Sequence, residues 1–201
     1  MKTLITLLFI TCCLNSQAQT LTLTPGSAAP AIKLKNINGK TVSFADYPLA
    51  KGFIIAFICN TCPYSKAYEQ RVIALNNKFS PLGFPVIAIN PNDAQISNGD
   101  SFTDMKTYAK SKGFNFPYLY DEGQVVTSAY GAKSTPHLFI LSKNENAITV
   151  EYTGALDNDT PDTDPSKIKY AEEAVNALLE KKKPALAVTR AIGCRVKWKK
   201  S

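Results

Sequence analysis

The chain has 201 residues, 45% of them hydrophobic and 19% charged, and a net charge of +7 from 23 Lys and Arg against 16 Asp and Glu. That length and apolar content suit one folded unit with a substantial core and exclude a disordered or low-complexity chain. Five cysteines are too few at this length for a disulfide scaffold.

At the N-terminus, Lys2 precedes an apolar run from Leu4 to Leu14 that is too short to span a membrane. Ser16-Gln17-Ala18 has the small-x-small form of a cleavage site. Residues 1–18 therefore read as a secretory signal peptide cut near Ala18, giving an exported protein, periplasmic or secreted. Cys12 and Cys13 would leave with it. The residues before them, Thr11 and Cys12, are not the small residue that lipid attachment needs, which argues against a lipoprotein. No later stretch is apolar and long enough to insert stably in a membrane. Cys59, Cys62 and Cys194 then remain. An odd cysteine in an oxidising compartment pairs outside the chain, stays free, or takes turns in an exchange. The basic excess gathers in Lys181, Lys182 and Lys183 and in Arg195, Lys197, Lys199 and Lys200. With no aromatic-basic recognition module, a solvated helix end and tail is preferred to a nucleic-acid partner.

Leu21 to Ala31 is a Pro/Gly/Ser-rich leading segment. Ile32 to Phe44 alternates polar and apolar residues about Asn38-Gly39, the signal of a β-hairpin whose turn needs positive φ. Gly52 to Ile58 has no polar member and reads as a central strand covered on both faces. Tyr64, Tyr68, Val72, Leu75 and Phe79 then recur at helical spacing. Phe84 to Ile89 is a second buried strand, and Asn90 to Gly99 a turn-rich loop. Ser101 with Asp104 forms a capping box for a helix through about Lys112, stopped at Gly113. Asn115 to Tyr120 reads as extended and Glu122 to Tyr130 as a short helix. Leu138 to Leu141 and Ile148 to Tyr152 form an antiparallel strand pair. Leu156 to Pro165 is an acidic loop. Asp157, Asp159, Asp162 and Asp164 lack the glycine and distal glutamate of a calcium loop, so a solvated loop is preferred. Ser166 is expected to cap a last helix with Ile168, Ala171, Val175 and Leu178 on its apolar face, ended by lysines and Pro184. The domain is placed at residues 19–184, with a tail, 185–201, packing on it. Alternating strands and helices imply an α/β fold with a mixed sheet and helices on both faces.

The chemistry points to Cys59-Asn60-Thr61-Cys62, at the handover from buried strand to helix. A helix N-terminus stabilises a thiolate, and two cysteines three residues apart share one face. Cys59, at the cap, is predicted to be exposed, acidic and the attacking thiol. Cys62, one turn in, is predicted to be shielded and to resolve the mixed disulfide. An inert structural disulfide or a metal clip are the alternatives. Cys194 is either a relay thiol exchanging with this pair or a buried tail anchor packed beside Ile192, Val196 and Trp198. His137, the one histidine, is a proton shuttle, a copper ligand beside Cys59 and Cys62, or, as preferred, a hydrogen-bonding residue at the start of a strand.

The element order, the Cys-x-x-Cys and a downstream Thr135-Pro136-His137 resemble the thioredoxin fold. The segments Pro25-Gly26-Ser27-Ala28-Ala29-Pro30, Phe116-Pro117-Tyr118-Leu119-Tyr120-Asp121 and Tyr130-Gly131-Ala132 are most similar to its peroxiredoxin-like (AhpC/TSA-type redoxin) branch. The tail Gly193-Cys194-Arg195-Val196-Lys197-Trp198 fits a group of such proteins. The resemblance implies a three-layer α/β/α sandwich and a cis-proline at Pro136. It implies that Thr135 and Pro136 bind substrate, with the Thr135 backbone exposed for strand addition. Ile58 stands where thioredoxins carry tryptophan, and Gly52 to Ile58 lacks their buried carboxylate, Glu69 being the nearest acid along the chain. Peroxiredoxins place threonine three residues before the peroxidatic cysteine, where this chain has Cys59 before Cys62, and no arginine lies around Pro136. The expected function is an exported thiol–disulfide oxidoreductase acting on protein or small-molecule disulfides, with a thiol redox partner, no cofactor and no metal. The alternatives are a thiol-dependent peroxidase working through Cys59 or Cys62, and a redox-silent or metal-binding protein.

Overall fold

A strand with no polar side chain is stable only where both its faces are covered. In the computed structural model, which describes residues 21–200, the run Gly52–Phe57 is β3, within a seven-stranded mixed sheet. It pairs parallel with β4 (Val86–Asn90) and antiparallel with β7 (His137–Lys143). β4 continues in parallel to β5 (Tyr118–Tyr120), and the hairpin of β1 (Lys33–Asn36) and β2 (Thr41–Ser43) closes that edge. β8 (Ile148–Gly154) closes the other, antiparallel to β7, so the order is β2-β1-β5-β4-β3-β7-β8. The hairpin lies where Asn38-Gly39 puts it, but its turn is looser than the two-residue form. Asn36 N donates to Lys40 O, and only Gly39 takes a positive φ.

Side chains alternate across a strand, and the two faces of β3 face two cores. Ile54 and Ala56 join Ala88, Tyr118, Leu138 and Ile140 under α1 (Pro63–Phe79), α2 (Phe102–Lys112) and α4 (Tyr170–Leu179). Phe53, Ile55 and Phe57 join Ile87, Ile89 and Phe139 under α3 (Val125–Tyr130) and the leading segment, through Val126, Tyr130 and Ile32. The three layers expected are present and unequal: three helices cover one face, and one short helix with extended chain covers the other.

Two expectations in the last third are corrected. Ser166 caps nothing, because α4 starts at Tyr170 with Lys169 at its cap. The Ser166 N–H and hydroxyl are both spent on Asp164 Oδ1, at 2.8 and 2.6 Å, and Ile168 is 40% exposed. The acidic loop is not uniformly solvated. Asp162 and Asp164 are exposed, but Asp157 is buried and accepts from Arg71 Nη1 of α1 at 2.6 Å.

The tail runs back across the sheet. Thr153 N donates to Ala187 O and Thr189 N donates to Thr153 O, both at 3.0 Å. Cys194–Arg195 then form β9, antiparallel to a two-residue strand, β6 (Ser134–Thr135). Of the apolar residues expected to anchor the tail, only Val196 is buried; Ile192 is 45% and Trp198 40% exposed. The predicted signal peptide lies outside the described residues. Among those described, no helix is long and apolar enough to cross a membrane.

Candidate active site

Proline fixes φ near the helical value and carries no N–H, so it suits the first position of a helix. Pro63 takes that position, which makes Cys62 the N-cap of α1, with extended φ −74° and ψ 123°. This corrects the expectation that Cys59 holds the cap and is exposed while Cys62 lies one turn inside. Cys59 belongs to the loop before the helix, and both cysteines are only 3% exposed. The signal was the Pro63 that follows Cys62.

Both thiols face Thr135, which arrives from β6. Cys59 Sγ is 3.1 Å from Thr135 Oγ1, and Cys62 Sγ is 3.1 Å from Thr135 O. The two thiols also act on each other's ionisation, in opposite directions. The Cys59 hydrogen bond, aided by Cys194 and by the Ser65 N–H in the first turn of α1, outweighs burial and lowers the Cys62 thiol to about 4. Cys59 goes the other way, pushed well above the usual thiol range by donating to Cys62, by burial and by the charge of Asp100. These shifts favour the thiolate at Cys62 and disfavour it at Cys59.

Asp100 is the residue that sequence reasoning missed. It comes from the loop after β4 and is fully buried. It accepts from Asn60 N at 2.7 Å, Thr61 Oγ1 at 2.8 Å, Ser97 Oγ at 2.6 Å, Asn92 Nδ2 at 2.9 Å and Asn90 Nδ2 at 3.2 Å. Asn60 also donates to Gly99 O at 2.7 Å and accepts from Tyr118 OH at 3.0 Å. Both residues between the cysteines are therefore held by that loop and by β5. The buried carboxylate that thioredoxins carry on this central strand is matched in charge by one on a loop. Glu69 is buried on α1 but turned to α2, where Tyr108 OH donates to it and Lys112 Nζ lies 3.2 Å away.

The Thr135–Pro136 peptide bond is cis. Thr135 is not open for strand addition as expected: its backbone is paired with Cys194 of β9. His137 starts β7, with Nε2 3.0 Å from Thr153 Oγ1 and its ring stacked on Phe139. Burial and then Lys133 lower it to about 4, so it is neutral, and its Nδ1 is buried with no partner. Among the described residues, no group of three or more His, Cys, Asp and Glu is placed to hold a metal ion.

A dithiol with one anionic sulfur, held against a backbone edge, is equipped for thiol–disulfide exchange. The sequence model of the AhpC/TSA family matches residues 25–149. The chain belongs to the AhpC/TSA family. The matched segment contains Cys59, Cys62, Thr135 and Pro136, while Cys194 lies beyond it. Thiol-disulfide oxidoreductase ResA of Bacillus subtilis is 25% identical over 134 residues, which cover 67% of this chain and 70% of that protein. The crystal structure of an uncharacterized conserved protein from Geobacillus kaustophilus superposes with a TM-score of 0.81 at 36% identity, covering 88% of this chain and 93% of that one. A thioredoxin-like protein solved in solution in its oxidized form shares the fold, with a TM-score of 0.60 at 17% identity over 81% of this chain. The fold is thus thioredoxin-like, as the resemblance implied.

Proposed function

We propose that the protein is an exported thiol–disulfide oxidoreductase whose working groups are Cys62 and Cys59. The observation that carries this is the pair of thiols both set against Thr135, with Cys62 at the N-cap of α1. The kinship with a thiol-disulfide oxidoreductase supports it, and the Lys2-to-Ala18 pattern supports export. The Cys62 thiolate attacks one sulfur of a substrate disulfide, and the other substrate sulfur leaves as a thiolate. Cys59 then gives its proton to the departed substrate thiolate and attacks Cys62 Sγ. The second substrate thiol is freed, and a Cys59–Cys62 disulfide remains. Two electrons have passed to the substrate, and a partner thiol must return them. This exchanges the roles first expected for the two cysteines, because the acidic thiol attacks more readily at neutral pH. Pro136 and the Thr135 backbone form the surface on which a peptide substrate lies once the tail gives way.

Reduction of a peptide disulfide, followed in single-cysteine variants, tests this reading. With Cys194 also replaced by Ser, Cys59→Ser should accumulate a mixed disulfide at Cys62, and Cys62→Ser should accumulate none. The reverse pattern would return the attacking role to Cys59, and no substrate reduction by the intact protein would remove the reading.

One observation favours a second activity. Cys62 lies within the segment matched by the AhpC/TSA family, and its surroundings favour the thiolate. Consumption of hydrogen peroxide by the reduced protein, lost in Cys62→Ser, is the outcome that would establish it.

A further inference from the structure

The tail lies where an extended substrate would. In the pairing of β9 with β6, Cys194 stands opposite Thr135 and Arg195 opposite Ser134. The approach is so close that the residue before Cys194 has no room for a side chain. A Cβ on Gly193 would stand 2.1 Å from Thr135 O and 3.0 Å from Pro136 N. On the far side, Val196 N donates to Lys133 O at 3.1 Å and Lys197 N to Asn92 Oδ1 at 2.9 Å. Lys197 O accepts from Asp93 N and from Gln124 Nε2, both at 2.9 Å. The strand is therefore fixed in register on the side that follows Cys194. At that register Cys194 stands opposite Thr135, whose carbonyl lies 3.1 Å from Cys62 Sγ, which brings the Cys194 and Cys62 thiols near enough to act on each other's ionisation. Apolar anchoring at this end of the tail is confined to Val196, since Ile192 and Trp198 are exposed.

We propose that β9 is a built-in substrate strand and that Cys194 is the third member of the redox centre, alternating with Cys59 as the disulfide partner of Cys62. This rests on the dithiol reading above and adds a second oxidised form. The Cys194 thiolate attacks Cys62 Sγ of the Cys59–Cys62 disulfide. A Cys62–Cys194 bond forms, the Cys59–Cys62 bond breaks, and Cys59 leaves as a thiolate that takes up the proton Cys194 gave up. One disulfide replaces another, so no oxidant is consumed; the first disulfide comes from the substrate that the dithiol reduced. Oxidation of Cys62 removes one of the obstacles to that attack. In the reduced chain, burial and then the charge on Cys62 hold the Cys194 thiol up at about 11. Once Cys62 is in a disulfide that charge is gone, and Lys197 and the Tyr64 N–H remain to favour the thiolate. The product has its tail bonded across Thr135, so a peptide cannot dock until a partner thiol reopens it.

The test equilibrates the full chain in glutathione buffers from reducing to oxidising, quenches with acid, alkylates free thiols and maps disulfide-linked peptides by mass spectrometry. The expected result is a Cys62–Cys194 linkage with Cys59 alkylated, growing together with the Cys59–Cys62 disulfide. Gly193→Val forces the strand off Thr135 and removes the high local concentration of Cys194, so the ratio of the two disulfides should fall by about tenfold. Cys194 fully alkylated wherever Cys59–Cys62 is oxidised would overturn the inference and leave the dithiol reading standing. A ratio unchanged in Gly193→Val would overturn the seating by β9. If no Cys59–Cys62 disulfide forms in any buffer, the dithiol reading fails and this inference falls with it.

Discussion

At the scale of single residues, Cys62 and His137 have ionisations that couple directly to stability. Each has a folded value of about 4, against ordinary values of 9.0 for the thiol and 6.5 for the imidazole. A group whose folded pKa is depressed stabilises fully above its unfolded value, and that contribution is lost as pH falls through the folded value. Cys62 therefore contributes across the window from 9 down to 4, and His137 only from 6.5 down to 4. Urea midpoints of the reduced protein should fall as pH is lowered through both windows. Cys62→Ser should flatten the profile above pH 6.5, and His137→Gln should change it only below. A slope above pH 6.5 that survives in Cys62→Ser would show that the thiolate is not where the geometry puts it. These residues were legible because their signals are local: a cysteine spacing, a Thr-Pro, a lone histidine at a strand start. Their exposure and roles were not legible. Burial of Cys59 comes from residues far along the chain, and the acidity of Cys62 comes from its contact with a second thiol.

At the scale of elements, hydrophobic periodicity announced strands and helices well, and loops hid the determinants of the site. Asp100 sits in a turn-rich loop with no pattern to mark it. It clamps Asn60 and Thr61 only because β3 and β4 are parallel neighbours whose C-terminal ends bring both loops together. Asp100→Ala would take an acceptor from four buried donors, on Asn60, Asn90, Asn92 and Ser97, and from the half-buried Thr61 hydroxyl. The expected cost is about 3 kcal/mol, read from chemical unfolding, since buried bonds to a charged group are the expensive ones to break. A loss within experimental error of zero would mean that the loop does not hold the dithiol. The loop after β8 uses a different device. Arg71 Nη1 donates to Asp157 Oδ2 and Asp159 O, both at 2.6 Å, and Nη2 to Thr160 O at 2.7 Å and Ala67 O at 3.1 Å. Lysine has the charge without the planar fork, so Arg71→Lys should still destabilise by about 2 kcal/mol. Full stability in Arg71→Lys would assign the loop's order to charge alone. The acidic residues in that loop drew attention as a group, but the arginine that orders one of them lies on a helix more than eighty residues earlier.

At the scale of the whole molecule, the fold brings three distant segments to one place: the start of α1, the cis-proline turn and the tail. The Gly193-Cys194 motif was visible in the sequence, but its destination was not, because a two-residue pairing with β6 has no periodicity to announce it. The consequence is that both thiols of the pair lie under a strap. Reaction with a bulky reagent then requires the strap to lift, so the rate reports a local opening equilibrium and not thiol acidity alone. That equilibrium can be shifted at a distance. Gly154, at the end of β8, has φ 147°, and a Cβ there would stand 2.5 Å from Thr189 O, in the segment that ties the tail to Thr153. Gly154→Ala strains the backbone and pushes that tie away, a combination expected to cost more than 1 kcal/mol. Alkylation of Cys62 by a bulky maleimide should accelerate by about tenfold, while the ultraviolet titration of the thiolate stays where it was. The two readouts separate access from acidity. An unchanged alkylation rate would mean that the tail does not gate the dithiol, and a shifted titration would mean that Gly154→Ala had disturbed the start of α1 instead.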